Sequence, residues 1–325
     1  MKPQVKNNRG DTLVAKENKS IDVLIIGAGM AGLTAALYAG RMNRSVLVLE
    51  NALVGGQIAN AGHIENYPGL PGVLGGDLIA TVQQQAESFG ATVDEFDTIE
   101  RVTLNAEEKI VETGDYLYHP RAVIIASGMQ RRKLNLPVEK KFMGRGFHYC
   151  ELCDGHMYQG KNIAVVGGGN AAVGAANILD KYARNLYIIH RSPRLTAEPV
   201  DAEALLKNPK AKFFFNTVIE DGEGDKSLEK LHLRSKETGK AFDLPVDGVF
   251  VNIGVVPNTK LFEGQITMEG GRILAGEDCQ TNVAGVFAAG DVRKKEIRQL
   301  TTAAADGTTA ALLADRYLRS FVKNA

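Results

Sequence analysis

The sequence predicts an α/β fold with two Rossmann-like, three-layer dinucleotide-binding units. Three observations carry this. An apolar run rich in β-branched residues leads straight into a glycine turn and a helix over residues 21–38, and the same succession returns over 163–182. The two turns begin about 140 residues apart, at Gly27 and Gly167, and 325 residues suit two domains of roughly 100–200 each. The last third then returns to the style of the first, with one more apolar strand and a long helix.

Residues 21–26 read as a parallel strand of the buried kind, a short β-branched apolar run broken only by Asp22. They open into Gly27-Ala28-Gly29-Met30-Ala31-Gly32 and a helix over 33–38. In such a turn the first glycine permits the tight bend and the second lets a pyrophosphate approach the backbone. The third lets helix pack closely on strand, and the helix N-terminus offers N–H groups to the phosphates. A second strand, 46–49, ends in Glu50, 21 residues beyond Gly29, the spacing at which a carboxylate accepts from ribose hydroxyls. A glycine turn alone says little; strand, three glycines, helix, strand and acid together mark a dinucleotide site.

Residues 55–76 are rich in glycine and include Gly55-Gly56-Gln57 and Asn66-Tyr67-Pro68-Gly69. Such a stretch lets backbone approach a flat ligand, a plain surface loop being the alternative. Residues 78–89 have helical spacing, 91–118 alternate as a small β-meander would, and 122–126 form another buried strand.

Between the two cycles lies Cys150-Glu151-Leu152-Cys153, followed at once by Asp154 and Gly155. Two thiols so spaced can close a small disulfide ring and reopen it by exchange, and the adjacent acid can manage protons. No second Cys-x-x-Cys or suitably spaced Cys/His pair exists to complete a zinc site, so no metal is expected. Cys279 reads as a buried small hydrophobe, and His156 as structural.

The second cycle runs from a strand at 163–166 through Gly167-Gly168-Gly169-Asn170-Ala171-Ala172 to a helix over 173–182, with Ala172 in the third-glycine position, which the fingerprint allows. Its next strand, 186–189, ends in His190-Arg191 rather than an acid. An acid there favours NAD, whereas arginine can face the 2′-phosphate of NADP. Strands follow at 213–215, 228–233 and 249–253, with a hairpin-like turn at Gly222-Glu223-Gly224-Asp225. A strand at 285–289 ends in Gly290-Asp291, and Arg298-Gln299-Leu300 opens a helix reaching about residue 318. Taken alone, Asp291 reads as a turn or helix cap.

The 38 basic and 38 acidic residues cancel, which removes the electrostatic footprint of a nucleic-acid binder. No apolar stretch of about 18 residues or more appears, so no membrane span is expected. Residues 1–20 are polar and lack the apolar core of a secretory signal; they are expected to be disordered. With so few cysteines and no signal, a cytoplasmic protein with a redox-active pair is expected.

The segment Cys150 to Gly155, together with Gly290-Asp291 and Arg298-Gln299, resembles the low-molecular-weight, flavin-containing thioredoxin reductases, and the likeness runs over about residues 21–317. Flavoproteins without the cysteine pair share the glycine loops, so the cysteines decide the function. The resemblance implies an FAD domain made of residues 1–126 and 257–325. The second dinucleotide domain, 127–256, is inserted into it and carries the disulfide and the pyridine-nucleotide site. It also implies a homodimer and a swivel of the two domains during turnover. Carried over residue by residue, Gly27, Gly29 and Gly32 cradle the FAD pyrophosphate, Glu50 meets the adenosine ribose, and Gly56, Gln57 and Asn66 line the cofactor. Asp291, Arg298 and Gln299 lie at its ribitol and isoalloxazine ends. Cys153 faces the flavin, Cys150 attacks thioredoxin or a thioredoxin-like protein, and Asp154 is the acid/base for the leaving thiolate.

The donor site departs from the family pattern. NADPH-dependent members carry His-Arg-Arg-x-x-x-Arg, whereas this chain has His190-Arg191-Ser192-Pro193-Arg194-Leu195-Thr196. Two arginines are replaced, by Ser192 and Thr196, and Arg194 is out of register. NADPH, NADH and a ferredoxin are therefore all open as donors, with a nucleotide favoured because Gly167, Gly169 and Ala172 are intact. Glutaredoxin-like proteins and peroxiredoxins are alternative partners, and a flavin-bound redox sensor without turnover is the reading from another class.

Overall fold

The structure, a computed structural model, describes residues 16–59 and 63–322, with strand backbone also at Gln4–Lys6 and Thr12–Val14. The expectation of disorder over residues 1–20 falls largely outside the described residues. Where they are described, Gln4–Lys6 pairs antiparallel with Thr12–Val14, and residues 17–20 already belong to the long strand Glu17–Ile26.

The chain divides into two compact units, Met1–Gln130 with Pro257–Ala325, and Arg131–Val256. The sheet of the first runs in the order Ala91–Glu95, Val46–Glu50, Glu17–Ile26, Tyr116–Ile125, and all of these neighbours are parallel. Alternation along the strands assigns each side chain to a layer. Val23, Ile25, Val48 and Ile124 pack under the helix Met30–Arg41, while Leu24, Leu49, Val123 and Ile125 pack on the opposite face with Val102, Val111 and Phe262. Both faces are dry over residues 23–26, which is why that stretch shows no polar side.

Tyr116–Ile125 has two partners along one flank. Its first half pairs antiparallel with Lys109–Glu112, at Leu117 and Tyr118, and its second half pairs parallel with Val286–Ala288, at residues 123–125. The expected meander thus survives only over residues 101–118; Ala91–Glu95 leaves it for the parallel sheet, beside Val46–Glu50. Alternation cannot distinguish these fates, because an edge strand of a parallel sheet is also half exposed.

The second unit repeats the plan. Phe147–His148, Gly248–Val251, Asn162–Val166, Asn185–Ile189 and Ala211–Phe214 form a parallel sheet in that order. Ile163, Val165 and Ile188 face the helix Asn170–Leu179, and Ala164, Val166 and Val249 face an antiparallel sheet of Thr217–Glu223, Lys230–Ser235 and Ala241–Pro245. Phe147–His148 and Ala241–Pro245 had no signal in the sequence, being too short or too polar to stand out.

Candidate functional site

At the first glycine turn, three glycines meet three different surroundings. Gly27 has φ of +104°, and a Cβ there would lie 2.5 Å from the Ala126 carbonyl oxygen, so the turn admits no side chain. A Cβ on Gly32 would lie 1.8 Å from the Gly27 oxygen, the close approach of helix to strand expected of the third position. Gly29 faces open space: nothing stands within 4 Å of a Cβ there. It precedes the helix Met30–Arg41, which has no side-chain cap and no acid in its first turn. Its N–H groups and positive dipole end are thus available to a pyrophosphate, and these residues fit an FAD.

Glu50 stands at the end of its strand, accepting from Ala28 N at 2.9 Å and from Ala52 N at 3.1 Å. The carboxylate is thereby fixed beside the turn, with lone pairs left for a ribose. Gly56 has φ of +55°, and Gln57 Nε2 donates to the Met129 carbonyl at 3.0 Å. Asn66 Nδ2 donates to Gln299 Oε1 at 3.3 Å, which joins two predicted residues 233 positions apart. Asp291 lies in the short turn Gly290–Val292, where Gly290 N donates to Asp306 Oδ2 at 2.9 Å. The Arg298 Nε is buried without a hydrogen-bond partner, and burial, then the neighbouring Arg272, pushes its guanidinium pKa down. An orphaned buried donor beside this turn fits a site meant for an acceptor-rich group.

The second turn differs. Gly167 has φ of +139°, and a Cβ there would lie 2.3 Å from the Asn252 carbonyl oxygen and 2.9 Å from Ala172 Cβ. The helix Asn170–Leu179 begins after Gly169 without a side-chain cap or acid in its first turn. Two buried atoms around the turn have no partner, Asn252 Nδ2 and His190 Nε2. The His190 ring sits directly under Gly168, whose Cβ would lie 2.5 Å from Nε2; burial, then Arg191, lowers its pKa. His190 therefore packs beneath the turn as a neutral ring. Arg191 and Arg194 are exposed, with no ion pair to either guanidinium among the described residues.

Thr196, standing in place of an arginine, folds back onto this turn. Its backbone N donates to the Gly168 carbonyl at 2.7 Å and its Oγ1 donates to the same oxygen at 3.2 Å. Glu198 N donates to Asn170 Oδ1 at 2.7 Å, a second tie two residues on. The turn thus presents an uncapped helix N-terminus after Gly169, while Thr196 is tied to the turn and Arg191 and Arg194 stay exposed.

Cys150 and Cys153 form a disulfide. Cys150 precedes the one-turn helix Glu151–Asp154, and its Sγ accepts from Cys153 N at 3.2 Å. Asp154 N donates to the Cys150 carbonyl at 3.0 Å, so the acid is held one residue beyond the ring it serves. Its Oδ2 lies 3.0 Å from His148 Nδ1, and His148 Nε2 lies 2.7 Å from the Tyr158 hydroxyl. Neither His148 nor Tyr158 was legible in the sequence, since a lone histidine in an apolar run carries no motif. His156 is exposed in the turn Gly155–Tyr158, and Cys279 is fully buried, its thiol pushed up to about 11 by desolvation. No helix among the described residues is long and apolar enough to cross a membrane, and no cluster of acidic, cysteine or histidine residues could hold a metal among them.

Residues 21–307 match the family described as pyridine nucleotide-disulphide oxidoreductase. Among curated relatives, a 34.2 kDa protein in the rubredoxin operon of Clostridium pasteurianum is 48% identical over 304 residues, spanning 93% of this chain and 99% of its own. The thioredoxin reductase of Listeria innocua is 41% identical over 307 residues, 94% of this chain and 96% of its own. Among solved structures, thioredoxin reductase from Streptococcus pyogenes gives a TM-score of 0.88 at 35% identity, covering 93% of this chain and 99% of that one. A ferredoxin-flavin thioredoxin reductase from Clostridium acetobutylicum gives 0.52 at 29% identity, covering 94% and 100%.

Proposed function

The chain belongs to the pyridine nucleotide-disulphide oxidoreductases, in their low-molecular-weight thioredoxin reductase class, and from that premise we propose how its residues divide the work. The protein is an oxidoreductase that reduces the disulfide of thioredoxin or a thioredoxin-like protein, with FAD as its cofactor. The observation that carries this is the Cys150–Cys153 disulfide held beside Asp154 in the second of two Rossmann units.

The unit of residues 1–130 and 257–325 holds FAD: Gly27, Gly29 and Gly32 receive the pyrophosphate, Glu50 the ribose, and Gly56, Gln57, Asn66, Asp291, Arg298 and Gln299 the rest of the cofactor. FAD, when bound, supplies two electrons. Cys153 would exchange electrons with FAD, and Cys150 would be the nucleophile for the partner's disulfide. Asp154 holds the proton that accompanies cleavage. The unit of residues 131–256 also offers the donor site, through Gly167, Gly169, Ala172, Arg191 and Arg194, with His190 packed beneath. The protein acts in the cytoplasm as a homodimer.

A nicotinamide nucleotide is the first donor reading, on the uncapped helix after Gly169. A reduced ferredoxin is the second; the Thr196 hydrogen bonds to Gly168 engage a residue at a 2′-phosphate position and so weigh against NADPH among the three donors. Anaerobic stopped-flow bleaching of the flavin by NADPH, NADH and reduced ferredoxin, side by side, separates them. Thioredoxin reduction that persists in Cys150→Ser would sink the assignment of the disulfide.

A further inference from the structure

Behind Asp154 stands a buried pair that the family chemistry does not require. His148 is 3% exposed and lies on the strand Phe147–His148, which pairs parallel with Val249 and Phe250. Its ring stacks on Phe250 at 5.3 Å and meets Tyr158 edge-on at 5.3 Å, so apolar faces fix its plane. Both ring nitrogens are used, Nδ1 towards Asp154 Oδ2 at 3.0 Å and Nε2 towards Tyr158 OH at 2.7 Å. Burial first, then the charges of Asp154 and Asp247, raises the Tyr158 pKa, so its hydroxyl keeps its proton and can donate. A carboxylate only accepts, so Nδ1 carries the hydrogen towards Asp154 Oδ2, and Nε2 of the neutral ring accepts from the Tyr158 hydroxyl. The Lys161 ammonium lies 5.3 Å from the Tyr158 ring centroid and joins Asp154 and Asp247 among the charged groups around the pair.

We infer that His148 is a positioning residue for proton transfer at the disulfide, locked by Tyr158 in the tautomer that donates to Asp154 Oδ2. This rests on the reading of Asp154 as the acid/base. Cleavage of the Cys150–Cys153 bond takes up two electrons and one proton, leaving one thiol and one thiolate. FAD, bound and reduced, would supply the two electrons and the proton; Asp154 carries the proton, and a sulfur receives it. A donor at hydrogen-bond distance fixes the orientation of a carboxylate and favours its ionised form, and Nδ1 stands at that distance from Oδ2.

The test is the pH profile of thioredoxin reduction by the full-length flavoprotein, with flavin absorbance and far-UV circular dichroism checking the fold. In His148→Phe the acid limb is expected to move up by about one pH unit or more. His148→Gln, whose amide can donate to Oδ2, is expected to recover most of that shift. Tyr158→Phe keeps the ring packing, frees the tautomer, and is expected to move the limb in the same direction by less. Equal shifts in His148→Phe and His148→Gln, or a Tyr158→Phe profile that superimposes on the native one, would overturn the inference. Asp154→Asn run in parallel separates the two levels. Full turnover in it removes the acid/base reading itself, whereas lost turnover with unmoved His148 profiles removes only the positioning role.

Discussion

Thr196 gives both its backbone N–H and its hydroxyl to the Gly168 carbonyl, at 2.7 and 3.2 Å. The residue at the place of a phosphate-binding arginine is thus a strut for the glycine turn. Installing the missing charges, Ser192→Arg with Thr196→Arg, is expected to raise NADPH over NADH in flavin bleaching by about tenfold or more, since a charge-assisted hydrogen bond is worth roughly 1.5–3 kcal/mol. Apparent dissociation constants for the two nucleotides check it; an unchanged ratio means the segment does not read the 2′-phosphate.

The two sulfurs are expected to behave differently towards a partner. Cys153→Ser leaves Cys150 free to attack but unable to resolve, and should trap thioredoxin as a mixed disulfide visible on a non-reducing gel. Cys150→Ser should trap none. The reverse result would exchange the two roles.

The glycines of the first turn make a graded series. Gly29→Ala meets open space, so the fold should survive while flavin is held at least about tenfold more weakly. Gly32→Ala drives a methyl to 1.8 Å from the Gly27 oxygen and should destabilise by several kcal/mol, roughly the range of overpacked cores and above. Urea midpoints and flavin retention on gel filtration read the two effects separately.

Asp306 binds Arg293 Nη1 at 2.6 Å, Lys295 Nζ at 2.8 Å and Gly290 N at 2.9 Å, and the Arg293 side chain is 4% exposed. Asp306→Ala leaves a buried guanidinium uncompensated and should cost about 3–5 kcal/mol by chemical denaturation. Because the network carries Gly290-Asp291, flavin retention should fall with it.

Cys279 gives a pH signature. Its thiol is raised from 9.0 to about 11 by burial, and only the neutral form suits the folded state. Its contribution to stability is fully present below pH 9 and is lost as pH rises towards 11. Cys279→Ala should flatten the stability slope in that window. In the reduced native protein at pH 8, iodoacetamide should modify Cys150 and Cys153 and spare Cys279.

The layers of this fold were legible where apolar runs are continuous, as at residues 23–26 and 163–166, because burial on both faces leaves no choice of side chain. The glycine turns were legible because only glycine tolerates the backbone at Gly27 and Gly167. His148 and Tyr158 were not, since their meeting with Asp154 depends on a two-residue strand beside Gly248–Val251. Thr196 looked like a missing charge, and only the folded chain reveals the hydrogen bonds that use it. The parallel placement of Ala91–Glu95 was hidden because pairing partners lie far away in the chain.

The double flank of Tyr116–Ile125 bears on how the polypeptide assembles. Val286–Ala288 pairs with residues 123–125, so the second half of Tyr116–Ile125 lacks its flanking partner until the ribosome has released a segment some 160 residues further on. Residues 131–256, by contrast, are contiguous and can complete their contacts as soon as they emerge. The inserted unit is therefore expected to mature first, leaving the earlier-made half with an open strand edge. Stalled nascent chains ending near residue 300, which expose residues 131–256 but keep Val286–Ala288 in the exit tunnel, should resist protease over 131–256 while residues 16–125 are still cut; protection of both halves at that length would exclude this order.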